Sequence, residues 1–367
     1  MPDKSSLPIP LVRYLDEEGE ILQPLPGWSE DGKILENYYR HMVIARQSDL
    51  KAVAMQRTGK MGTYPSCLGQ EAISTVYSAL LEKDDVLVPY YRDLPGLMGR
   101  GVPVSDVYLY WGGDERGSAN PAWKQDFPNC VPIATQAGHA AGVATAFKIR
   151  HESRVVLCAL GDGATSKGDF LEALNLAGAW QLPVVFVINN NQWAISVPRA
   201  IQSGAPTLAQ KGIAAGLPSI QVDGNDVIAL HEVLTEAIER ARSNKGASVI
   251  EAISYRLGDH TTADDASRYR NSEELNAAWR KEPIKRLRNY LFHRGLWDEA
   301  KEKSLKLHAD KLVEKSVKTY TETPLPTVAD LFDYQYANMP PSLEQQKQAA
   351  IIRAKDRAEM NGGSPHA

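Results

Sequence analysis

Short apolar runs alternate with helical segments across residues 155–253, and this alternation constrains the fold more than any other feature of the chain. Strands that alternate with helices build β-α-β units around a parallel sheet. Because the runs are apolar almost throughout, we predict an α/β fold in which helices cover both faces of a parallel sheet. The strand-like runs are residues 155–160, 184–188, 220–222 and 249–253, and the helical segments are residues 167–180, 207–214 and 227–242.

The chain on either side of this core differs from it in composition. Residues 1–31 are rich in proline and charge and predict an extended arm, whereas the amphipathic pattern of residues 32–61 predicts a helix. Past residue 270 the chain becomes highly charged and helical in pattern. We therefore predict an α/β domain at residues 32–270 with a helical amino-terminal extension, followed by a helical carboxyl-terminal region at residues 271–367.

Composition and charge exclude several classes of function. Of the 367 residues, 43% are hydrophobic and 23% are charged, which is typical of a globular protein. A formal net charge of -4 argues against nucleic acid as a partner, and no apolar run is long enough to cross a membrane. The chain starts without the apolar segment of a secretory signal. Cys67, Cys130 and Cys158 lie far apart, so we expect reduced thiols and a cytoplasmic protein.

Polar residues close two successive runs of the predicted sheet. The tripeptide Gly-Asp-Gly around Asp162 follows one run, and three asparagines at residues 189–191 close the next. Taken singly, the first is typical of a turn and the second of strand-end capping. Because adjacent parallel strands bring their carboxyl ends together, Asp162 and one of the asparagines can face a common point. Carboxylate and amide oxygens suit Mg²⁺, which completes its shell with water and phosphate oxygens.

The spacing of these two motifs resembles the thiamine-diphosphate motif. Further segments make nearly the whole chain, from residue 12 to residue 346, similar to the alpha subunits of the decarboxylating component of 2-oxo acid dehydrogenase complexes. These segments are YPSCLGQEA, YYRD, GDGATSKGDFLEALNLAGAW, NNNQWAIS, IQVDGND and YRLGDHTTADDASRYR. The resemblance implies the thiamine-diphosphate-binding fold, with thiamine diphosphate and Mg²⁺ as cofactors.

The resemblance also implies roles for the residues of these motifs. It assigns the cation to side-chain oxygens of Asp162 and Asn191 and to the backbone carbonyl of Trp193. Gly163 and Ala164 would contact the diphosphate, where a glycine leaves room for backbone N–H groups beside a helix amino terminus.

The same family pattern assigns four residues to the rest of the cofactor. Ile195 matches the residue that wedges between the two cofactor rings, although packing at a strand end is the alternative. Tyr91 and the backbone of Ile133 would lie at the pyrimidine. Arg92 would bind phosphate through its planar set of donors, although a surface salt bridge would also explain an arginine here.

A polar loop after the last strand-like run carries Arg256 and His260. A histidine beside threonines and acids is often simply solvated. The resemblance implies that Arg256 binds phosphate and that His260 is the catalytic loop histidine, which stabilises charge, passes protons near neutral pH and serves acyl transfer to a lipoyl group. Thr261 lies where mammalian relatives carry a phosphorylated serine, and its hydroxyl alone indicates nothing about regulation.

The chain predicts only one sheet, whereas the family's cofactor sits between two α/β domains. The second domain is therefore expected from a beta subunit, in a two-plus-two heterotetramer, with a lipoyl-bearing acyltransferase as a further partner. Gly138 and Gly142 lie one helical turn apart and form a small-residue face, either for a subunit interface or for close packing inside the chain.

The substrate is the least constrained prediction. The first two-thirds of the chain look like bacterial enzymes that act on pyruvate, which we expect as the substrate. The loop HTTADDASRYR is shorter than theirs and lacks a glycine before its two aspartates, as in the branched-chain 2-oxo acid enzymes. An acetoin dehydrogenase alpha chain is a further alternative, and a phosphate-binding α/β protein without catalytic activity is the alternative outside enzymes.

Overall fold

The computed structural model describes residues 8–119 and 125–360. The chain divides into two compact units, Met1–Tyr320 and Thr321–Ala367. This division falls inside the predicted carboxyl-terminal region, and the boundaries after residues 31 and 270 stay predictions.

The first unit is built on a parallel sheet, as the sequence predicted. The strands of the described residues are β1 (Leu11–Val12), β2 (Val86–Val88), β3 (Val156–Gly161), β4 (Val184–Asn190), β5 (Trp193–Ala194), β6 (Val197–Pro198), β7 (Ser219–Asp223) and β8 (Ser248–Ile253). Six of them form one sheet in the order β1-β7-β8-β4-β3-β2, and every pair in it is parallel. A separate antiparallel pair, β5 and β6, follows the end of β4.

The helices of the described chain lie between and beyond these strands. Those of the first unit are α1 (Gly32–Arg57), α2 (Glu71–Leu80), α3 (Leu94–Gly99), α4 (Val104–Trp111), α5 (Thr135–Ile149), α6 (Gly168–Trp180), α7 (Arg199–Gln202), α8 (Gln210–Ile213), α9 (Val227–Arg242), α10 (Ser272–Arg280) and α11 (Pro283–His293). They are followed by α12 (Glu299–Glu322), and the second unit contains α13 (Asp330–Asp333) and α14 (Pro341–Met360). None of the described helices combines the length and the apolar character needed to cross a membrane.

Both faces of the sheet are buried, which confirms the predicted fold class. On β3, Val156, Cys158 and Leu160 pack in an apolar cluster with residues of α5 and α6. Leu157 and Ala159 point the other way, into a cluster with residues of α1, α2 and α9. Since successive side chains of a strand face opposite sides, a strand between two helical layers must be apolar at every position.

One local expectation needs correction. The segment at residues 207–214 forms only the four-residue helix α8, which is followed closely by Gly216, with a φ of +72°, and by Pro218. The amino-terminal arm also pairs with the sheet, because its residues Leu11 and Val12 form the edge strand β1. Little local signal indicates this long-range pairing, beside which Asp226 Oδ2 accepts the backbone N–H groups of Tyr14 and Leu15.

Candidate functional site

The carboxyl ends of β3 and β4 meet at one edge of the sheet. Gly161, the last residue of β3, pairs with Asn189 of β4. Asp162 opens the turn after β3, and Asn191 follows the end of β4. Asp162 and Asn191 line the same cavity, so the geometry that the spacing predicted is present.

The cavity has a volume of about 450 Å³, enough for part of a cofactor-sized ligand. Apolar side chains form much of its wall, and the carboxylate, guanidinium and imidazole groups are grouped within it. Ten of the eleven residues predicted from the sequence line it: Tyr91, Arg92, Ile133, Asp162, Gly163, Ala164, Asn191, Trp193, Ile195 and His260. The eleventh, Arg256, is fully buried and does not line the cavity.

Asp162 carries an oxygen that the described protein leaves without a hydrogen-bond partner. Its side chain is 2% exposed, and burial raises the pKa of its carboxyl to about 6. Oδ2 has no partner among the described residues, whereas the backbone carbonyl accepts from Thr165 Oγ1 and Gln202 Nε2. A buried carboxylate oxygen without a hydrogen-bond donor is suited to contact a cation.

The three asparagines at the end of β4 have different partners, and only Asn191, the residue after the strand, lines the cavity. Asn189 donates to Tyr90 Oη at 2.7 Å, and Asn190 donates to Glu251 at 2.6 Å. Both amides are therefore engaged in joining neighbouring elements. The residue pattern left open which of the three asparagines faces the same point as Asp162, and only Asn191 lies at the cavity with it.

Asn191 is held at both ends of its amide. Its Nδ2 donates to Gln70 Oε1 at 3.0 Å, and its Oδ1 accepts the backbone N–H of Trp193 at 3.2 Å. A carbonyl oxygen has two lone pairs, so Oδ1 keeps one free for a further contact. The described residues contain no cluster of three His, Cys, Asp or Glu side chains, so a cation here would depend on amide and carbonyl oxygens besides Asp162.

Ile195 has a backbone conformation that β-branched residues rarely adopt. It is the first residue of the two-residue turn between β5 and β6, and its φ is +58°. Glycine is the usual residue at that place of a hairpin turn. The isoleucine side chain is 57% exposed at the cavity wall, and such strain commonly marks a functional position.

Arg256 binds the backbone of this turn. Its guanidinium donates to the carbonyl of Trp193 at 3.2 Å, to the carbonyl of Ile195 at 2.8 Å and to Tyr269 Oη at 2.9 Å. Burial lowers the pKa of Arg256 to about 10, so it stays charged at neutral pH. Its Nε has no partner among the described residues.

Arg92 and His260 form a tight pair on the cavity wall. Arg92 is buried, and it donates to the carbonyl of Ser66 at 2.8 Å and to both Nδ1 and the carbonyl oxygen of His260. Burial, followed by the charges of Arg92 and Arg256, lowers the pKa of His260 to about 4. The imidazole is therefore neutral near pH 7, and because Nδ1 accepts, its proton lies on Nε2.

The remaining predicted residues lie around these groups. The Tyr91 ring meets the His260 ring edge-on, with 6.4 Å between centroids. A Cβ atom at Gly163 would stand 3.0 Å from that of Ala194, so a side chain there would press on the β5 residue. Ile133 is an exposed apolar residue of the cavity wall.

Sequence reasoning missed several residues that contribute to the cavity. Some of them lie inside the motifs that carry the family resemblance, and the others come from segments in which no local pattern indicated a role. Those inside the motifs are Pro65, Tyr90, Gly161, Ala194 and Thr261. The full set of missed residues that line the cavity is Thr63, Pro65, Tyr90, Trp111, Cys130, Val131, Ala134, Gln136, Gly161, Ala194 and Thr261. The segment YPSCLGQEA was noticed only for its resemblance, although its polar Gln70 before a helix was a usable signal.

Fold and site together define a class: an α/β protein with a largely apolar cavity that contains a few polar and charged groups, at the carboxyl edge of a parallel sheet. The family model described as "Dehydrogenase E1 component" matches residues 39–329. The chain therefore belongs to the dehydrogenase E1 component family.

Individual relatives cover most of the chain. A protein from Acholeplasma laidlawii named pyruvate dehydrogenase E1 component subunit alpha is 41% identical over 90% of this chain and 96% of its own length. A Staphylococcus aureus protein (strain Mu50) of the same name is 39% identical over 92% of this chain and 91% of its own. A Mycobacterium tuberculosis protein (strain H37Rv) named 3-methyl-2-oxobutanoate dehydrogenase subunit alpha is 42% identical over 84% of each chain.

Proposed function

We propose that this chain is the alpha subunit of a pyruvate dehydrogenase E1 component, which decarboxylates pyruvate oxidatively and transfers the acetyl group to a lipoyl group. The observation that carries this function is the unpartnered buried oxygen of Asp162 in one cavity with Asn191 and His260. The relatives from Acholeplasma laidlawii and Staphylococcus aureus support the substrate.

The residues of the cavity fit thiamine diphosphate with Mg²⁺. Asp162, Asn191 and the carbonyl of Trp193 would hold the cation, since all three offer hard oxygens on one cavity wall. The backbones of Gly163 and Ala164 would face the diphosphate. When bound, thiamine diphosphate supplies the carbon nucleophile on which decarboxylation of a 2-oxo acid depends.

Other residues of the chain would orient the cofactor. Ile195 would enforce the bent arrangement of its rings, and Tyr91 with Ile133 would contact the pyrimidine. Arg92 lines the cavity and is the direct candidate for a phosphate contact. Arg256 uses its other N–H groups on protein acceptors, so its phosphate contact would have to come through the unpartnered Nε.

His260 is the catalytic candidate for the acyl-transfer step. With its neutral ring and the proton on Nε2, it can donate a proton or a hydrogen bond to a group in the cavity. Arg92 holds the other nitrogen and the loop backbone, so the donor direction is set by the protein. Release of that proton would leave an imidazolate, so transfer requires coupled uptake of a proton at Nδ1, for which the Arg92 donor must first move off that nitrogen.

A beta subunit is the partner we expect, in a two-plus-two heterotetramer. Gly138 and Gly142 on α5 are exposed, and no described atom lies within 4 Å of a Cβ built at either. On α6, Leu171 and Trp180 are exposed as well. Packing within the described part of the chain therefore does not account for the small-residue face, which supports its use between subunits. We further propose that the complex is cytoplasmic and also contains a lipoyl-bearing acyltransferase.

The branched-chain 2-oxo acid is the second candidate substrate, because the Mycobacterium tuberculosis relative is as similar to this chain as the others. The deciding experiment measures reduction of an artificial electron acceptor by the co-expressed alpha and beta chains. Pyruvate, 3-methyl-2-oxobutanoate and acetoin are compared at equal concentrations. We expect the highest kcat/KM with pyruvate; a preference for either other substrate overturns this assignment, and no turnover with all three favours the phosphate-binding alternative.

A further inference from the structure

We propose that Gln70 is a positioning residue of the cation site, which holds the amide of Asn191 with its oxygen presented to the ion. The inference rests on the proposed function, and it concerns a residue outside the cavity lining. Gln70 is 2% exposed and lies at the start of α2.

Hydrogen-bond chemistry sets the orientation of the Asn191 amide. The backbone N–H of Trp193 can only donate, so the atom of Asn191 that faces it is the oxygen Oδ1. The other end of the amide is then the donor Nδ2, and it needs an acceptor. Gln70 Oε1 is that acceptor, at 3.0 Å. A rotation of the Asn191 amide by half a turn would therefore place two acceptor oxygens against each other at Gln70 and two donors against each other at Trp193.

Gln70 does not perform the usual task of a polar residue at its position. It is the residue that precedes the first turn of α2, where side chains commonly accept a backbone N–H of the helix. Its side chain makes no such bond. Its Nε2 is buried without a partner among the described residues, while Oε1 accepts from Asn191 and from Tyr90 Oη. The Gln70 amide is therefore oriented so that its oxygen accepts two hydrogen bonds, while its NH₂ group makes none to the described residues.

The backbone that carries Gln70 is fixed by buried ionic contacts. Gly69 donates its N–H to Glu71 Oε2 at 3.0 Å, and the other oxygen of Glu71 accepts from Arg46 of α1 at 2.7 Å. A Cβ atom at Gly69, whose φ is +88°, would stand 2.5 Å from the carbonyl oxygen of Tyr255. The backbone at Gln70 is therefore held in place between α1 and the segment after β8, as the role of a positioning residue requires.

The test compares Mg²⁺ affinity in variants of the alpha chain assembled with its beta subunit, at saturating thiamine diphosphate. Gln70→Met keeps the length of the side chain without its acceptor, and Gln70→Glu restores an acceptor oxygen. We expect a Kd for Mg²⁺ that is about 10- to 100-fold higher for Gln70→Met, since partners of metal ligands have effects of that size. Gln70→Glu should stay within about threefold of the wild type, because an acceptor is again present.

The matched control is Gln221→Met, which removes a glutamine that donates to Glu251 and does not contact Asn191. Its Kd for Mg²⁺ should equal that of the wild type within about threefold. The EPR spectrum of bound Mn²⁺ is the second readout, and it should change for Gln70→Met and not for the control. If Gln70→Met fails to fold, Gln70→Asn, which withdraws the acceptor by one methylene, should show the same loss.

A further variant, Asp162→Asn, distinguishes failure of this inference from failure of the proposed function. If the wild type binds no Mg²⁺ with the cofactor, the proposed function fails and this inference fails with it. If the wild type binds and Asp162→Asn does not, whereas Gln70→Met binds as tightly as the wild type, only the positioning role is refuted. A merely structural role would lower the melting temperature of Gln70→Met and leave the Kd of its folded fraction unchanged, which also overturns the inference.

Discussion

Arg92 donates to His260 twice, to its ring nitrogen Nδ1 at 2.8 Å and to its backbone carbonyl at 2.6 Å. One guanidinium therefore sets both the position of the loop and the tautomer of its histidine. Burial, together with this positive charge, lowers the pKa of His260 and keeps its ring neutral.

Replacing His260 by alanine should separate the two half-reactions. We expect acetylation of a lipoyl domain to fall about 10²–10⁴-fold, the usual contribution of a general acid or base, and decarboxylation with an artificial acceptor to fall less. Both rates are measured on the same assembled enzyme, with cofactor affinity from calorimetry as the control for binding. Equal small losses in both steps would mean that His260 is only a solvated loop residue.

Asp162→Asn and Asn191→Ala should each abolish Mg²⁺-dependent binding of thiamine diphosphate while the fold survives. The first variant removes the charge of a buried carboxylate whose Oδ2 has no partner among the described residues, so its melting temperature should not fall. Calorimetry on the assembled enzyme measures the affinity, and circular dichroism follows the melting. Unchanged cofactor affinity in both variants would refute the assignment of the cation site.

Ile195→Gly should relieve strain and impair catalysis at once. Glycine adopts a φ of +58° freely, and the exposed side chain contributes little burial, so stability should stay equal or rise by about 1 kcal/mol. Decarboxylation should fall about tenfold or more, because enforced conformers of bound groups contribute about 1–5 kcal/mol. Ile201→Ala, at an exposed isoleucine of α7, is the control and should leave both properties unchanged. A fully active Ile195→Gly enzyme would refute the proposal that Ile195 enforces the bent arrangement of the cofactor rings.

The chain should be inactive alone, and Gly142→Leu should block its assembly with the beta subunit. The position is exposed and free of described neighbours, so the isolated chain should melt as the wild type does. Size-exclusion chromatography of the co-expressed chains measures assembly, and Lys303→Leu on the exposed side of α12 controls for added apolar surface. Turnover of a 2-oxo acid by the alpha chain alone, or normal assembly of Gly142→Leu, would contradict the expected interface.

The stability of the fold should decline as the pH falls from 6.5 toward 4, in part through His231. Burial lowers the pKa of His231 from 6.5 to about 4, because its ring stacks on Trp28 at 3.6 Å. In that pH window the unfolded chain binds the proton and the folded chain does not, so the stabilisation present above pH 6.5 is lost on acidification.

His231→Phe keeps an aromatic ring on Trp28 and removes the titrating group, so its melting temperature should fall less steeply with acid. His308→Gln, at an exposed site on α12, should show the wild-type slope. Melting curves at half-unit intervals of pH test this. Parallel slopes for His231→Phe and the wild type would show that the ring does not contribute to the acid sensitivity.

The pattern of residues was sufficient to predict the layered α/β architecture and the position of Asp162 and the asparagines at its edge. Apolar runs of strand length separated by amphipathic segments admit few other solutions, and the carboxyl ends of neighbouring parallel strands must meet. Family resemblance then supplied the roles of residues such as Ile133 and His260, which no local pattern would have singled out.

The residue pattern left three asparagines open and the resemblance implied Asn191, whereas the contacts that hold Asn191 at the cavity arise only in the folded chain. Gln70 and Asn191 are separated by 121 positions in the chain, and Arg256 supports the Ile195 turn from 61 positions away. The pairing of Leu11 with β7 likewise joins the arm to the far edge of the sheet. Periodicity reports which face of an element is buried, whereas a hydrogen bond between distant side chains depends on the packing of the whole domain, and no local pattern encodes it.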